Sequence, residues 1–247
     1  MLASFSSHVF WDALSSRPFW RGALLALEIT FVAFPAAVVI GFFLALGRSS
    51  RLRAVRGGVF FYTWIFRATP TLLQLLFIWD ALPQIWSTFR HSWFTPFLAA
   101  VIALSLNEAA YMVEIIRSGL LSVDPGQELA GRALGMSRRR ILRRIVVPQA
   151  VRIVIPPMGN EFITLLKLTS LASVISVTEL LTASQEYSST TFSYLESFTA
   201  AALYYLFIVS ILMFLQARLE RRFTFTSRSR KRTATAPGVP AISHDAR

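Results

Sequence analysis

The sequence contains no cysteine and only three histidines in 247 residues. Without cysteine, a disulfide framework, a thiolate metal site and a thiol nucleophile are all excluded. The histidines lie far apart and outside the apolar runs, so they cannot form the helical histidine pair of a zinc site. These residues are His8, His91 and His244. We therefore expect no metal site in this chain.

Charged residues are also scarce: they make up 15% of the chain against 54% hydrophobic residues, and the mean hydropathy is +0.54. A soluble domain of this length needs more polar surface to cover its core, so the composition indicates a lipid bilayer as solvent. The formal net charge of +12 raises nucleic-acid binding as an alternative. The arginines, however, lie between long apolar runs, which is typical of basic loops retained in the cytoplasm. We expect a membrane protein with no nucleic-acid partner.

Five segments are long and apolar enough to cross a bilayer core of roughly 30 Å, which takes about 20 helical residues. They lie at about residues 22–47, 57–80, 94–118, 153–181 and 198–218. The first run is too long for the apolar core of a cleaved signal peptide. The sequence therefore predicts an all-α polytopic membrane protein with an extracytoplasmic N-terminal segment at 1–21, a transmembrane domain at 22–218 and a basic, disordered cytoplasmic tail at 219–247.

The distribution of arginines between the spans predicts the orientation. The loop Arg48–Arg56 carries four arginines, and the segment after the third span and the C-terminal tail are also basic. By contrast, Arg90 is the one basic side chain of the Lys or Arg type in residues 80–93, and residues 182–197 contain no lysine or arginine. The positive-inside rule places the first group in the cytoplasm and the second group outside. We expect an N-out, C-in protein in the cell membrane, which is the inner membrane where a cell has two.

The long loop at about 119–152 has the most distinctive sequence. An Asp-Pro pair at 124–125 is a helix-opening signal. Residues Glu128–Leu134 then favour a short helix that Gly135 ends. Ser137 begins a second helix with an arginine-rich surface, which Pro148 is expected to interrupt before the fourth span. The sequence predicts a helix–turn–helix elbow at the cytoplasmic membrane face, presenting a short rigid helix to a cytoplasmic partner.

This loop resembles the EAA motif of ABC importer permeases. That pattern is E-A-A, three residues, Gly, nine residues and then I-x-L-P, and the residues at the required spacings are Ala130, Gly135, Ile145 and Pro148. The resemblance implies a coupling helix that docks on an ATPase subunit. The residues that it assigns to this role are Gly126, Gln127, Glu128, Ala130, Ala133, Leu134, Gly135, Met136 and Pro148.

The flanking residues are similar to the polar amino-acid uptake branch of these permeases, and the likeness covers roughly residues 22–218. The shared runs are F-R-x-T-P from Phe66 with Gln74 after it, N-E-x-A-Y-x-x-E-I-I-R from Asn107, G-Q from Gly126, A-L-G-M from Ala133, P-Q-A-x-R from Pro148, N-E-F from Asn160 and K-x-T-S-L from Lys167. The resemblance implies import of an amino acid or a similar small polar solute.

The chain departs from the family pattern at two places. Leu129 occupies the glutamate position of the EAA motif, with Glu128 one residue early, and Gly131 replaces the second alanine. A small rotation of the helix would let Glu128 take over the polar contact. In the fourth span, Leu168 stands where the family has an aspartate beside Lys167, so that lysine needs another partner for its charge.

The resemblance also implies partners. The permease pairs with an identical or paralogous permease chain, the dimer sits on two ABC ATPase subunits, and an extracytoplasmic solute-binding protein delivers the solute. Lys167 and Lys231 are the only lysines, and neither follows a glycine, so the chain lacks a Walker A loop. We therefore expect no enzyme activity, no catalytic residue and no cofactor in this chain, with ATP and Mg bound by the ATPase.

Polar residues recur along one face of the third span and one face of the fourth. They predict a polar seam inside the membrane that meets the solute. The alternative is structural: Glu114 or Glu161 pairs with Lys167 or Arg117 and holds the helices together. The seam residues are Asn107, Glu108, Tyr111 and Glu114 in the third span and Asn160, Glu161, Thr164 and Lys167 in the fourth.

The second span contains Arg67 shortly before Pro70. A proline inside a membrane helix kinks it and frees a carbonyl group. We expect a nearby cation to satisfy that carbonyl, which gives Arg67 a structural role.

Three other functions are alternatives to the importer. A proton-coupled secondary transporter would use Glu108 or Glu114 as a relay, although such carriers often contain internal repeats and none is visible here. A membrane-embedded enzyme would need a recognisable motif, and neither G-x-S-x-G nor H-E-x-x-H occurs. An export or assembly subunit with a similar elbow is a third alternative. The identity of the solute and the choice between an identical and a paralogous permease partner stay open.

Overall fold

The computed structural model describes residues 5–223, and over that range all regular structure is helical, which confirms the predicted fold class. Its α-helices are α1 (Ser7–Ser15), α2 (Arg17–Arg48), α3 (Arg53–Ala68), α4 (Thr71–Leu76), α5 (Leu82–Ile85), α6 (Pro96–Leu121), α7 (Pro125–Ala133), α8 (Arg138–Ile141), α9 (Val147–Leu168), α10 (Leu180–Thr191) and α11 (Tyr194–Phe223). Most of the predicted disordered tail falls on residues 224–247, outside the described residues, and α11 extends over its first five positions.

Three single helices, α2, α6 and α11, are long and apolar enough to cross a membrane. Two bent pairs pass the same test, so the described residues hold five spans if each pair is one span. The first pair joins α3 to residues 71–85 at a bend of 108°, and the second joins residues 138–175 to α10 at 49°. The predicted count of five spans agrees with this when each bent pair is one span, and the structure shows in addition that the spans predicted at 57–80 and 153–181 are bent.

The core forms where α2 packs along α6. Small buried residues line both helices, so their backbones approach closely, as is usual between helices in a membrane. The two helices run in the same direction, because Ser105 donates to the carbonyl of Ala33 at 3.2 Å while Gly41, further along α2, touches Met112, further along α6. Both helices therefore begin at one end of the molecule and finish at the other, where α6 leads into α7.

The bend after α3 results from Pro70, which has no backbone N–H to continue the helix. The freed carbonyl of Phe66 accepts hydrogen bonds from the side-chain amides of Gln74 at 2.9 Å and Asn107 at 3.2 Å. The expectation that a cation satisfies this carbonyl is therefore wrong. A neutral amide loses less on leaving water than a guanidinium does, so it suits this buried position.

Pro148 does not interrupt its helix, which contradicts a second prediction. The helical path runs from Arg138 to Leu168, with a π-helical turn at Leu142–Val146. In that turn the N–H of Val147 bonds to the carbonyl of Leu142, five residues back. The wider turn changes the hydrogen-bond register just before the proline, and the side-chain amide of Gln149 donates to the carbonyl of Ile145 at 3.0 Å.

The fourth span is bent by a different device. After α9 the chain tightens into a 3₁₀ stretch at Thr169–Ile175, and Ser176 takes a left-handed conformation with φ 62°. Glu179, fully buried, then caps α10: its carboxylate accepts from the N–H groups of Leu181 at 2.8 Å and Thr182 at 2.9 Å. No proline or glycine marks this break, so the hydropathy pattern did not reveal it.

The bend at Pro70 generates a prediction about stability. Replacing Gln74 with leucine removes the donor to Phe66 and the acceptor for the amide of Asn107, which lies 2.8 Å from Oε1 of Gln74. We expect a loss of about 1–3 kcal/mol for each buried polar group left without a partner. The measurement is thermal unfolding of the purified protein in detergent.

Thr30→Val is the matched control, since its buried hydroxyl donates only to the carbonyl of Ala26 in its own helix, and its loss is expected to cost little. Equal unfolding midpoints for the two variants would contradict the role given to Gln74.

Candidate functional site

The elbow, made of α7, the turn at 134–137 and α8, has a well-capped first helix. The carboxylate of Asp124 accepts from the N–H of Gly126 at 2.8 Å at the start of α7. At its end, Gly135 takes φ 72°, its N–H bonds to Arg132, and the N–H of Met136 bonds back to Gly131. This pair of bonds with a left-handed glycine is a Schellman motif, which stops the helix sharply. Ser137 occupies the capping position of α8 without a side-chain hydrogen bond.

Gly131, the departure from the second alanine of the EAA pattern, has a packing reason. It is the buried residue of α7, and a Cβ there would lie 2.9 Å from Cγ1 of Ile141. Ile141 of α8 thus packs directly on the backbone of α7. This contact fixes the angle between the two helices of the elbow.

The outer surface of the elbow combines an internal ion pair with exposed apolar side chains. Glu128 pairs with Arg132 one turn along α7, so its carboxylate is already engaged within the helix. Leu129 is 70% exposed and Leu134 is 81% exposed. The remaining residues assigned to the coupling loop are exposed or half-buried, and they are Gly126, Gln127, Ala130, Ala133, Gly135, Met136 and Pro148. An exposed apolar tip of this kind is typical of a docking surface.

The polar seam begins deep between α3, α4 and α6. Asn107 is buried, and its amide joins Gln74 and the carbonyl of Phe66 in the network at the bend. Glu108, the next residue, is 1% exposed, and its Oε1 has no hydrogen-bond partner within residues 5–223. Glu108 also lies within electrostatic range of Glu161 on α9. Two carboxyl groups, one on α6 and one on α9, therefore lie within electrostatic range of each other.

Arg67 supplies a positive charge that acts on one of these carboxyl groups. It interacts electrostatically with Glu161, and its guanidinium carbon lies 5.4 Å from the centre of the Tyr111 ring. An open cavity of about 370 Å³ lies beside it. The cavity is lined by Arg48, Phe60, Thr63, Trp64, Arg67, Ala68, Tyr111 and Glu114. Charges of both signs and aromatic rings thus line one space of the size of a small polar molecule.

The structure brings together only part of the predicted seam. Asn160 lies on an exposed face, where its Oδ1 accepts from the amide of Gln216 on α11 at 2.8 Å. Lys167 is exposed on the same helix and forms no ion pair with any described residue. Thr164 is half-buried between them. Of the ion pairs that the structural alternative required, only that of Glu114 with Arg117 is present among the described residues, at 4.0 Å.

Arg48 and Arg67 are the site residues that the sequence analysis did not include. Arg67 was assigned a structural role at the proline bend, and Arg48 was counted only as a charge in a basic loop. The signal that could have identified Arg67 is its position well inside an apolar span, since a charge at that depth usually faces a polar path.

The chain is similar in sequence and in fold to proteins of amino-acid transport systems. Residues 37–225 match the family model of the binding-protein-dependent transport system inner membrane component. The arginine transport system permease protein ArgU of Corynebacterium glutamicum is 38% identical over 94% of this chain and 77% of its own length. The glutamine transport system permease protein GlnP of Escherichia coli is 37% identical over 82% of this chain and 91% of its own length. A chain in the crystal structure of an amino acid ABC transporter with histidines superposes with a TM-score of 0.79 and 35% identity, covering 90% of this chain and all of that one.

Two of the buried carboxyl groups, those of Glu108 and Glu179, generate a paired prediction. The two carboxylate oxygens of Glu179 together accept from two backbone N–H groups and from the hydroxyl of Tyr205 at 3.1 Å. Glu179→Gln replaces one of these oxygens with an NH₂ group that cannot accept, so we expect a loss of about 1–3 kcal/mol. Glu108→Gln removes no hydrogen bond from Oε1 and relieves the repulsion with Glu161, so its stability should equal or exceed that of the wild type. Thermal unfolding of both variants in detergent measures this difference. Similar destabilisation by the two substitutions would show that Glu108 has a structural role.

Proposed function

This chain belongs to the family of binding-protein-dependent transport system inner membrane components, and we propose that it couples ATP hydrolysis on partner subunits to the passage of an amino acid along the polar seam of α3, α6 and α9. It is a multi-pass membrane permease of an ABC importer for amino acids. The relatives are permeases and not ATPases, and as importer components they imply an ATPase and a solute-binding protein as partners. The same relationships favour the importer over a proton-coupled secondary transporter.

The elbow is the proposed contact with the ATPase subunits. Two copies of the ATPase, which bind the ATP and Mg, receive α7 in a groove on their membrane-facing side. The support is the rigid, exposed α7 with its apolar tip at Leu129 and Leu134. Because Glu128 is held by Arg132, we do not assign it the polar contact of the family glutamate. Leu129 replaces that contact with an apolar one.

The cavity beside Arg67 is the proposed solute path. An amino acid carries a carboxylate and an ammonium group, so it needs a cation and an anion within a few ångströms of each other. Arg67 and Glu114 both line the cavity, and Glu108 and Glu161 lie deeper along the same seam. Arginine and glutamine, which the names of the two relatives specify, share these backbone charges. The path therefore recognises the part of the solute that all amino acids have in common.

A second permease chain, identical or paralogous, completes the transporter. The supporting observation is Lys167, an exposed lysine on a membrane helix with no ion pair among the described residues. A charge at that depth needs a protein partner or a water-filled cavity, and a facing permease chain supplies both. In this assembly the elbow lies in the cytoplasm, and the ends at which α2 and α6 begin lie outside, in line with the basic loops.

The docking role of the elbow is tested by Leu134→Asp. A carboxylate at the apolar tip must be desolvated in the groove, so we expect at least a tenfold loss of ATPase subunit recovered with the tagged permease from native membranes in mild detergent. The matched control is Leu52→Asp, which changes a leucine of 66% exposure in the basic loop.

Both substitutions are on the surface, so the stability of the permease should change little. Undiminished recovery of the ATPase with Leu134→Asp would contradict the docking role. A wild-type permease that comes out alone and moves solute down a proton gradient in liposomes would overturn the importer itself.

The solute path is tested by Arg67→Ala in the assembled transporter. Losing a charge-assisted hydrogen bond to a carboxylate costs about 1.5–3 kcal/mol, so the concentration of L-arginine or L-glutamine at half-maximal uptake should rise at least tenfold for whichever is carried. Thr63→Val is the control in the same cavity, since its hydroxyl donates only to carbonyls of its own helix. Unchanged half-maximal concentrations for Arg67→Ala would remove this cavity from the path.

A further inference from the structure

An open polar cleft lies at the end of the molecule opposite the elbow. Arg17, Pro18 and Arg21, at the start of α2, form one wall, and Thr178, Ala183 and Glu186 form the other. The cleft has a volume of about 240 Å³. Its position follows from the parallel run of α2 and α6, because the elbow comes after the end of α6.

The charged side chains of this cleft form no ion pairs among the described residues. Arg17 and Arg21 are exposed, stand one helical turn apart on α2 and make no ion pair with residues 5–223. The guanidinium of Arg21 lies 5.9 Å from the centre of the neighbouring Trp20 ring. Glu186, also exposed, makes no ion pair within the same range. Positive charge is disfavoured on the outer side of a membrane protein, so a pair of free arginines there requires a reason.

The turn of α2 that carries these arginines touches α10 directly. A Cβ on Gly22 would lie 2.8 Å from the backbone of Glu179 and Leu180, so the two main chains are in contact. One turn earlier, the buried ring of Phe19 meets the ring of Tyr187 edge-on, with centres 5.9 Å apart. These two contacts bracket the position of Arg21. A displacement of the arginines would therefore act directly on α10 through these contacts.

The helix that these contacts reach, α10, is a distinct helical unit. α10 is bounded by two left-handed residues, Ser176 before it and Phe192 after it. Its capping carboxylate, Glu179, is tied to α11 by the hydroxyl of Tyr205 at 3.1 Å. The 3₁₀ stretch at Thr169–Ile175 connects it to the end of α9, where Lys167 lies. Motion of α10 thus reaches the membrane-embedded polar residues through a short, continuous path.

From these contacts we propose that Arg17 and Arg21 bind an acidic patch on the extracytoplasmic solute-binding protein, and that this docking is transmitted through Gly22 and Phe19 to α10. The proposal rests on the proposed function and on the outward orientation of the start of α2. Carboxylates are the natural partners for two arginines spaced one turn apart. Glu186, on the facing wall, repels a misaligned acidic surface and sets the register of the docked protein.

The experiment uses the complete transporter in liposomes, with the solute-binding protein that is recovered with it after cross-linking in whole cells. The measured quantity is the concentration of binding protein that gives half-maximal stimulation of ATP hydrolysis. We expect Arg17→Glu combined with Arg21→Glu to raise that concentration at least tenfold. Increasing the ionic strength from about 0.05 M to about 0.5 M should weaken stimulation of the wild type and have much less effect on this variant.

Arg90→Glu is the control, since it reverses an exposed arginine that precedes α6, at the same end of the molecule, and whose guanidinium donates to the carbonyls of Pro83 and Gln84. Its half-maximal concentration should stay within about twofold of the wild type, which corresponds to about 0.4 kcal/mol. If the wild type is stimulated and the double variant needs no more binding protein, the docking site is wrong while the importer function stands. If no binding protein is recovered with the wild type and none stimulates it, the proposed function itself fails.

Discussion

The hydrogen-bonding needs of the backbone inside a membrane determine how this protein is built. A helix that breaks at bilayer depth exposes carbonyl and N–H groups that lipid cannot satisfy, and each must find a partner within the protein. At the first break, the side-chain amides of Gln74 and Asn107 donate hydrogen bonds to the carbonyl of Phe66. At the second break, the carboxylate of Glu179 accepts hydrogen bonds from two N–H groups of α10. The bends are therefore possible only because specific side chains from neighbouring turns and helices meet them.

Glu108 contrasts with the backbone groups at these two breaks, which have hydrogen-bond partners. It lies beside Asn107 and is as deeply buried, yet its Oε1 has no partner among the described residues, and Glu161 repels it. A group that costs stability without returning a hydrogen bond is a candidate for a role in transport, because it is held ready for a positively charged part of the solute. The hydrogen-bonded network of Gln74, Asn107 and Phe66 lies beside it, and Arg67 interacts with Glu161.

Local signals in the sequence predicted the parts of the structure that local chemistry determines. Hydropathy located the spans, Asp124 and Gly135 marked the ends of α7, and Pro70 marked a bend. The failures share a different cause, which is that tertiary contacts decided the outcome. The amide of Asn107 lies 33 residues from Gln74, and no local rule joins them. Pro148 continues a helix because a π-helical turn precedes it, and the break near Ser176 has no proline or glycine to announce it.

The candidate site shows the same division. Helical spacing predicted that Asn107, Tyr111 and Glu114 share one face of α6, and in the structure that face lies toward α3, where the network at the bend and the cavity are found. It could not tell which neighbour each face meets. Asn160 was grouped with the seam by its spacing from Lys167, but it faces Gln216 on α11. Arg67 was taken for a helix-bend residue because its distance from Tyr111 depends on packing between separate helices.

The exposed Leu129 has a consequence for how transporters in one membrane are kept apart. Cells that carry several related importers must prevent a permease from assembling with the ATPase of another system. A charged residue at this position would give an association sensitive to salt and tolerant of small differences in shape. In the proposed docking, an exposed leucine instead demands a matching apolar socket on the ATPase, while Gly131 and Ile141 fix the angle at which it is presented. Mispairing is then penalised by imperfect fit, so the fidelity of assembly is encoded in steric complementarity more than in charge.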